Sequence, residues 1–294
     1  MAVMTKSFTL KHHLKTSFGI LTKKKSSASK IKYNHFTHHH LQKPGASHAD
    51  IKTRRRRNLL RGLRVRSHRS AVRTRRDAVA SGDVAHPGRR IAGPWNDWIA
   101  VLSETYHVVA MDQRNAGQSR GDVAADHGWH TYAADHLALM DHLGVDKFHT
   151  LGGCIGSSFC LKLCEMAPGR VTAAVLQNPI GLHPVETTYF PDSFAEWADE
   201  QRAIRSDLDD KALESFCNNM FSGDFVFCVD RDFARRCPTP TLVMPGDDVP
   251  HPAATGQELA RLLPGTEVLN DWKGPAHMDE QRDAVLTFLA RHTP

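Results

Sequence analysis

The stretch Gly152-Gly153-Cys154-Ile155-Gly156 sets a thiol among small residues, with a glycine two positions before it and another two after. A short apolar run, Phe148 to Leu151, precedes it, and apolar residues at helical spacing follow from Ile155 to Met166. A turn sharp enough to join strand to helix at one residue crowds its neighbours. Glycine relieves the crowding and leaves the central side chain projecting into a cleft. A thiol held there can attack a carbonyl carbon if a base takes its proton and a carboxylate orients the base. His277, in Gly274-Pro275-Ala276-His277-Met278-Asp279, lies between the last strand pattern and the last helical one. That position is the carboxyl edge of an open α/β sheet, where catalytic groups gather. Asp247 and Asp248 both follow the strand pattern Thr241 to Met244, and either can serve as the acid. The N–H of Ile155, at the start of a helix, is the expected first donor to an oxyanion. The helix N-terminus and a neighbouring histidine are expected to lower the Cys154 pKa and favour thiolate.

The elements that would position these groups begin near Gly93. Trp98 to Glu104 has a helical pattern, and His107 to Met111 is an apolar strand that ends in Asp112-Gln113-Arg114-Asn115-Ala116-Gly117-Gln118-Ser119. Residues 131–143 carry a helix-spaced apolar face, and Gly144 is placed to stop that helix. Val171 to Leu176 and Glu267 to Leu269 read as further strands; Glu258 to Leu263 and Asp279 to Arg291 read as helices. Strands alternating with helices predict an α/β architecture, a mostly parallel sheet covered on both faces. Residues 180–236 interrupt the alternation and carry nine aromatics, Tyr189, Phe190, Phe194, Trp197, Phe216, Phe221, Phe225, Phe227 and Phe233. They form either a helical excursion with its own small core or an apolar lid over the cleft.

The turn at Cys154 resembles the nucleophile elbow of the α/β-hydrolase family, in a variant with cysteine at the nucleophile position. The loop from Asp112 to Ser119 resembles that family's D-x-R-G-x-G-x-S segment, with Asn115 in place of the first glycine. Asparagine tolerates left-handed backbone better than most residues. With the Gly246-Asp247-Asp248 turn and the His277 loop, the resemblance covers about 200 residues, in the family's order of nucleophile, acid and histidine. It implies a hydrolase acting on an ester, thioester or lactone through an acyl-enzyme on Cys154, with His277 as base. Asp248 is the implied acid and Asp247 the alternative. It implies no cofactor, and Asp247, Asp248 and His251 lack the second ligand cluster a metal site would need. The second oxyanion donor would come from Ala92-Gly93-Pro94-Trp95, with Trp95 as the residue in question because Pro94 has no N–H. The apolar strand that should feed that loop is missing from the sequence before it. Two alternatives stay open, an acyltransferase and a non-catalytic binding protein on the same scaffold with an incomplete oxyanion hole.

Charge divides the chain. Residues 1–92 hold 23 of the 38 Lys and Arg but 3 of the 32 Asp and Glu, about +20; the remaining 15 and 29 give about −14 from residue 93 onward. The net +6 therefore says little about the core. The basic segment is low in complexity and is expected to be disordered. It reads as an arm touching nucleic acid or an anionic membrane, as a targeting peptide, or as a coding stretch read in the wrong frame. The partner expected for the core at 93–294 is a small, apolar acyl substrate. Six cysteines without a C-x-x-C pair, and no apolar run near the roughly 18 residues of a membrane span, fit reduced thiols in the cytoplasm.

Overall fold

The computed structural model describes residues 18–23, 65–67, 96–116, 119–182 and 188–294, the first two stretches by their backbone. Among the described residues seven strands form one sheet. They are β1 (Phe18–Lys23), β2 (Val65–Ser67), β3 (Tyr106–Met111), β4 (Phe148–Gly153), β5 (Val171–Gln177), β6 (Thr241–Met244) and β7 (Glu267–Val268), in the order β2-β3-β1-β4-β5-β6-β7. β4, β5, β6 and β7 are parallel neighbours. β1 is antiparallel to both β3 and β4, so those two run the same way, and five of the seven strands share one direction.

β1 and β2 come from within residues 1–92, the segment expected to be disordered. Phe18-Gly19-Ile20-Leu21 is one of the few apolar runs in that segment, and it pairs with Gly152 to His149 on one side and, from Ile20 to Lys23, with Val109 to Tyr106 on the other. The slot left by the missing first strand is thus filled from far upstream. The rest of that segment lies outside the described residues.

Side chains alternate across the sheet with the two-residue period of a strand. Val108, Val175, Leu242 and Met244 face one layer, which holds α1 (Trp98–Ser103) and α8 (Met278–Arg291) through Trp98, Leu102, Val285, Phe288 and Leu289. Val109, Leu176 and Val243 face the other layer, with α2 (Trp129–His142), α3 (Ile155–Met166) and α7 (Ala253–Leu262). The core is therefore two apolar layers with the sheet between them, as expected for α/β chains.

The insertion forms α4 (Tyr189–Arg202), α5 (Asp210–Phe221) and α6 (Arg231–Arg236). Seven of its nine aromatics are buried, leaving Tyr189 and Phe233 half-buried, which settles most of them into packing. Phe190 stacks on Phe221 at 5.4 Å, Phe194 meets Phe216 edge-on at 5.3 Å, and Trp129 of α2 meets Phe221 at 6.2 Å. The cap is joined to α2 by the contact of Trp129 with Phe221.

The Asp112–Ser119 loop anchors the cap from the other side. Arg114 makes a bidentate, buried pair with Asp135 at 2.7 and 2.8 Å. Burial pushes the Asp135 carboxyl up, and the Arg114 hydrogen bond and charge pull it back only in part. Asn115 has φ 59°, the left-handed backbone for which asparagine is suited. Its carbonyl accepts from Trp197 Nε1 at 3.3 Å and its Oδ1 from Arg205 at 2.9 Å.

Candidate active site

Cys154 has φ 57° and ψ −127°, outside every region an L-residue favours. Such a residue costs on the order of 1–3 kcal/mol and persists only where its surroundings over-determine it. Its N–H donates to the Gln177 carbonyl at 2.9 Å, and its carbonyl accepts from Ser157 N–H at 3.0 Å. Ser157 Oγ lies within hydrogen-bond reach of the carbonyls of Gly152 and Gln177, at 2.9 and 3.0 Å. Trp98 Nε1 donates to Gln177 Oε1 at 3.0 Å, which ties α1 to the same corner. Gly152 is required sterically, because a Cβ there would lie 2.2 Å from the Gly156 carbonyl oxygen. Gly153 is not, since its Cβ would meet nothing closer than 3.7 Å.

The thiol is 8% exposed. Burial pushes it up to about 12, against a hydrogen bond from Ile155 N–H that pulls it down, and the charge of Asp248 pushes it up further. This corrects the expectation of a lowered pKa. The helix N-terminus does act on the sulfur, but desolvation exceeds it. Cys154 is a neutral thiol in this arrangement, with an amide donor at the expected oxyanion position beside it.

The two aspartates part company. Asp247 turns outward to an ion pair with Lys273 and is 70% exposed. The charge of Asp248 acts on the Cys154 thiol. Asp248 Oδ1 accepts from the backbone N–H of His251 at 3.1 Å and lies 2.5 Å from His251 Nδ1. Burial pushes this carboxyl up, but the His251 hydrogen bond and the charges of His251 and Lys273 outweigh it and hold it below the usual carboxylate range. The turn can close because residue 246 is glycine; a Cβ there would stand 2.3 Å from the His251 carbonyl oxygen.

His277 ends a short 3-10 turn, Pro275–His277, and caps α8. It is 39% exposed, and its Nδ1 lies 3.4 Å from Glu280 Oε2. No hydrogen bond joins it to Asp248 or Cys154 among the described residues. Asn96 donates to the Met278 carbonyl and to Gln281 Oε1, each at 2.8 Å, so the chain entering α1 runs beside the His277 turn. Trp95, the expected second oxyanion donor, lies outside the described residues.

Two groups at the site were not singled out from sequence as part of its chemistry. His251 was noted only as a metal candidate; the Asp-x-x-His spacing over Val249-Pro250 is the signal that it turns back on Asp248. Tyr189 stands where α4 begins. Burial pushes its hydroxyl up to about 12, and the charges of Cys154 and Asp248 add to that, so it stays protonated. Among the described residues no cluster of three His, Cys, Asp or Glu side chains could hold a metal ion, and no helix is long and apolar enough to cross a membrane.

A family model described as the alpha/beta hydrolase fold matches residues 80–212. The chain is 27% identical over 211 residues to a protein named "Putative carbamate hydrolase RutD" from Pseudomonas savastanoi pv. phaseolicola, covering 62% of this chain and 81% of that one. To the protein of the same name from Klebsiella pneumoniae strain 342 it is 26% identical over 227 residues, 67% of this chain and 85% of the relative. Among solved structures it is similar to the enol-lactonase from Burkholderia xenovorans LB400, with TM-score 0.49 and 19% identity over 78% of this chain and 96% of that one.

Proposed function

Because this chain belongs to the α/β-hydrolase fold family, we propose that it is a hydrolase that cleaves an ester, thioester or lactone by acyl transfer to Cys154. The observation that carries the reading is the backbone of Cys154, φ 57° and ψ −127°, with the Ile155 N–H donating to its sulfur. A strained residue at a strand–helix junction, with its side chain turned to the carboxyl edge of the sheet, marks a position kept for function.

The steps follow from the groups present. Cys154 Sγ attacks the carbonyl carbon while His277 takes the thiol proton, so an S–C bond forms and an oxyanion develops toward Ile155 N–H. The proton moves during attack, since burial keeps the resting thiol protonated. The tetrahedral species collapses, the C–O or C–S bond to the leaving group breaks, and His277 returns the proton to it. Water then attacks the acyl-cysteine with His277 as base, which releases the acid and restores the thiol. Asp248 orients His277; for this the imidazole turns from Glu280 toward the carboxylate. Apo enzymes often show such bonds long or unmade.

The name shared by the relatives adds carbamates to the carbonyl classes worth testing. The apolar cap fits an acyl group without a charged tail. An acyltransferase differs only in what accepts the acyl group, so added alcohol or thiol acceptors separate the two by product partition. The binding-protein reading draws on one observation, the placement of His277 on Glu280. One experiment decides among these readings. The protein is incubated with p-nitrophenyl acetate, butyrate and octanoate, and intact mass and peptide mapping follow the adduct. An acyl mass on Cys154 with turnover, both absent in Cys154→Ala, is expected. No adduct at Cys154 with any of the three esters would refute the enzyme reading.

A further inference from the structure

We propose that His251 is a positioning residue of this site: it holds Oδ1 of Asp248 with two donors and so presents the other oxygen, Oδ2, to His277. The inference rests on the acyl-transfer reading above and deepens it.

The geometry is specific to one oxygen. The backbone N–H of His251 reaches Oδ1 at 3.1 Å and the ring Nδ1 reaches the same atom at 2.5 Å. An ionised carboxylate only accepts, so the hydrogen of that short contact sits on Nδ1. Among the described residues Oδ2 receives no hydrogen bond. A carboxylate that must orient an imidazole needs one oxygen fixed and one free, and that is the arrangement at Asp248.

The holder is itself rigid. His251 is 6% exposed. Asp248 N–H and His251 carbonyl, and His251 N–H and Asp248 carbonyl, pair at 3.3 and 3.1 Å across the turn. Gly246 packs against the His251 Cβ and carbonyl with no room for a side chain of its own. The carboxylate at the other end is half-exposed, at 53%, and would sample several rotamers without this pin. The charged and titratable groups that bear on Asp248 are His251 from its own turn, Lys273 from the loop before the 3-10 turn, Cys154 from the elbow and Tyr189 from the cap. His251 and Lys273 favour the ionised form that orients a base.

The test uses the full chain and an activated ester, with His251→Leu and His251→Asn compared at matched folding by circular dichroism. The Asn amide nitrogen can stand where Nδ1 stands; Leu offers no donor. His251→Leu is expected to lower kcat by about 10- to 100-fold with KM little changed, the size of effect that follows loss of a supporting hydrogen bond or a small misplacement. The acid limb of its pH–rate profile should move to higher pH, because removing a donor lets the Asp248 pKa rise and the carboxylate protonate sooner. His251→Asn should recover most of kcat and return the limb toward its original pH. If the Leu variant does not fold, His251→Gln replaces it, since its amide lies at the level of Nε2 and misses Oδ1. Asp248→Asn, measured in parallel, separates the two readings. If Asp248→Asn is slow but the donor-less variant keeps wild-type kcat and acid limb, the positioning role is overturned and the triad stands. If the Asn variant is no better than Leu or Gln, the role is likewise overturned. If Asp248→Asn has wild-type activity, the triad reading fails and this inference fails with it.

Discussion

Replacing Gly152 with alanine puts the elbow geometry under direct test. The added Cβ would lie 2.2 Å from the Gly156 carbonyl oxygen, 2.3 Å from its carbonyl carbon and 2.9 Å from its Cα. All three are backbone atoms of the first turn of α3, so no side chain can swing away. Ordinary contact needs about 3.4 Å or more, so strand end and helix start must separate by roughly 1 Å, a strain of about 1–3 kcal/mol. At a urea m-value of about 2 kcal/mol/M, the unfolding midpoint should fall by roughly 0.5–1.5 M. The larger effect should fall on chemistry. The displaced turn carries both Cys154 and the Ile155 N–H, and a misplacement of about 1 Å costs on the order of 100-fold in rate. Gly153→Ala is the matched control, because its Cβ would make only a 3.7 Å contact with Gln177 Oε1. The assays are urea titration followed by circular dichroism and stopped-flow release of p-nitrophenol in the acylation phase. Equal acylation rates for Gly152→Ala and Gly153→Ala would refute the argument that close approach of β4 and α3 sets the nucleophile.

Two further outcomes are expected. His136 and His149 are buried, which pushes their pKa values down to about 3 and about 4, with the charge of His292 adding to the second. Protons then bind the unfolded chain first, so stability should fall as pH drops below about 6.5, by up to about 3 kcal/mol per pH unit for the two together, continuing toward pH 4; urea midpoints at pH 7 and 5 check this, and a flat profile refutes it. Cys154, held near 12, has a thiolate fraction of about 10⁻⁵ at pH 7, so iodoacetamide should label half-buried Cys217 before Cys154. Peptide mapping that finds Cys154 labelled first would mean that a base already engages the thiol.

The elbow was legible because its sterics are local. Small residues two before and two after Cys154 are what a strand–helix junction of that sharpness demands, and Gly152 meets Gly156 as that spacing requires. The strands from β3 onward and their covering helices were legible through periodicity. The Asp112–Ser119 loop was legible because Asn115 carries the left-handed backbone its family counterpart gives to glycine. The state of the thiol was not legible, because desolvation depends on what packs over Cys154, and that comes from distant segments. The cap aromatics could not be divided between lid and core from composition, because the division depends on which faces of α4 and α5 meet α2. The role of His251 was hidden in a turn whose closure depends on Gly246 having no side chain.

The least legible element is the first strand. β1 has little local signal beyond four residues, and a strand that pairs with partners about 85 to 135 positions away cannot be registered from local pattern. Phe18, at its start, pairs with Gly152 beside Cys154, whereas Lys23, at its end, pairs with Tyr106 at the opposite end of the sheet. Asn96 is fastened to Met278 and Gln281 beside the His277 turn. Asn96→Ala would then disturb acylation, although Asn96 touches neither the nucleophile nor the carboxylate.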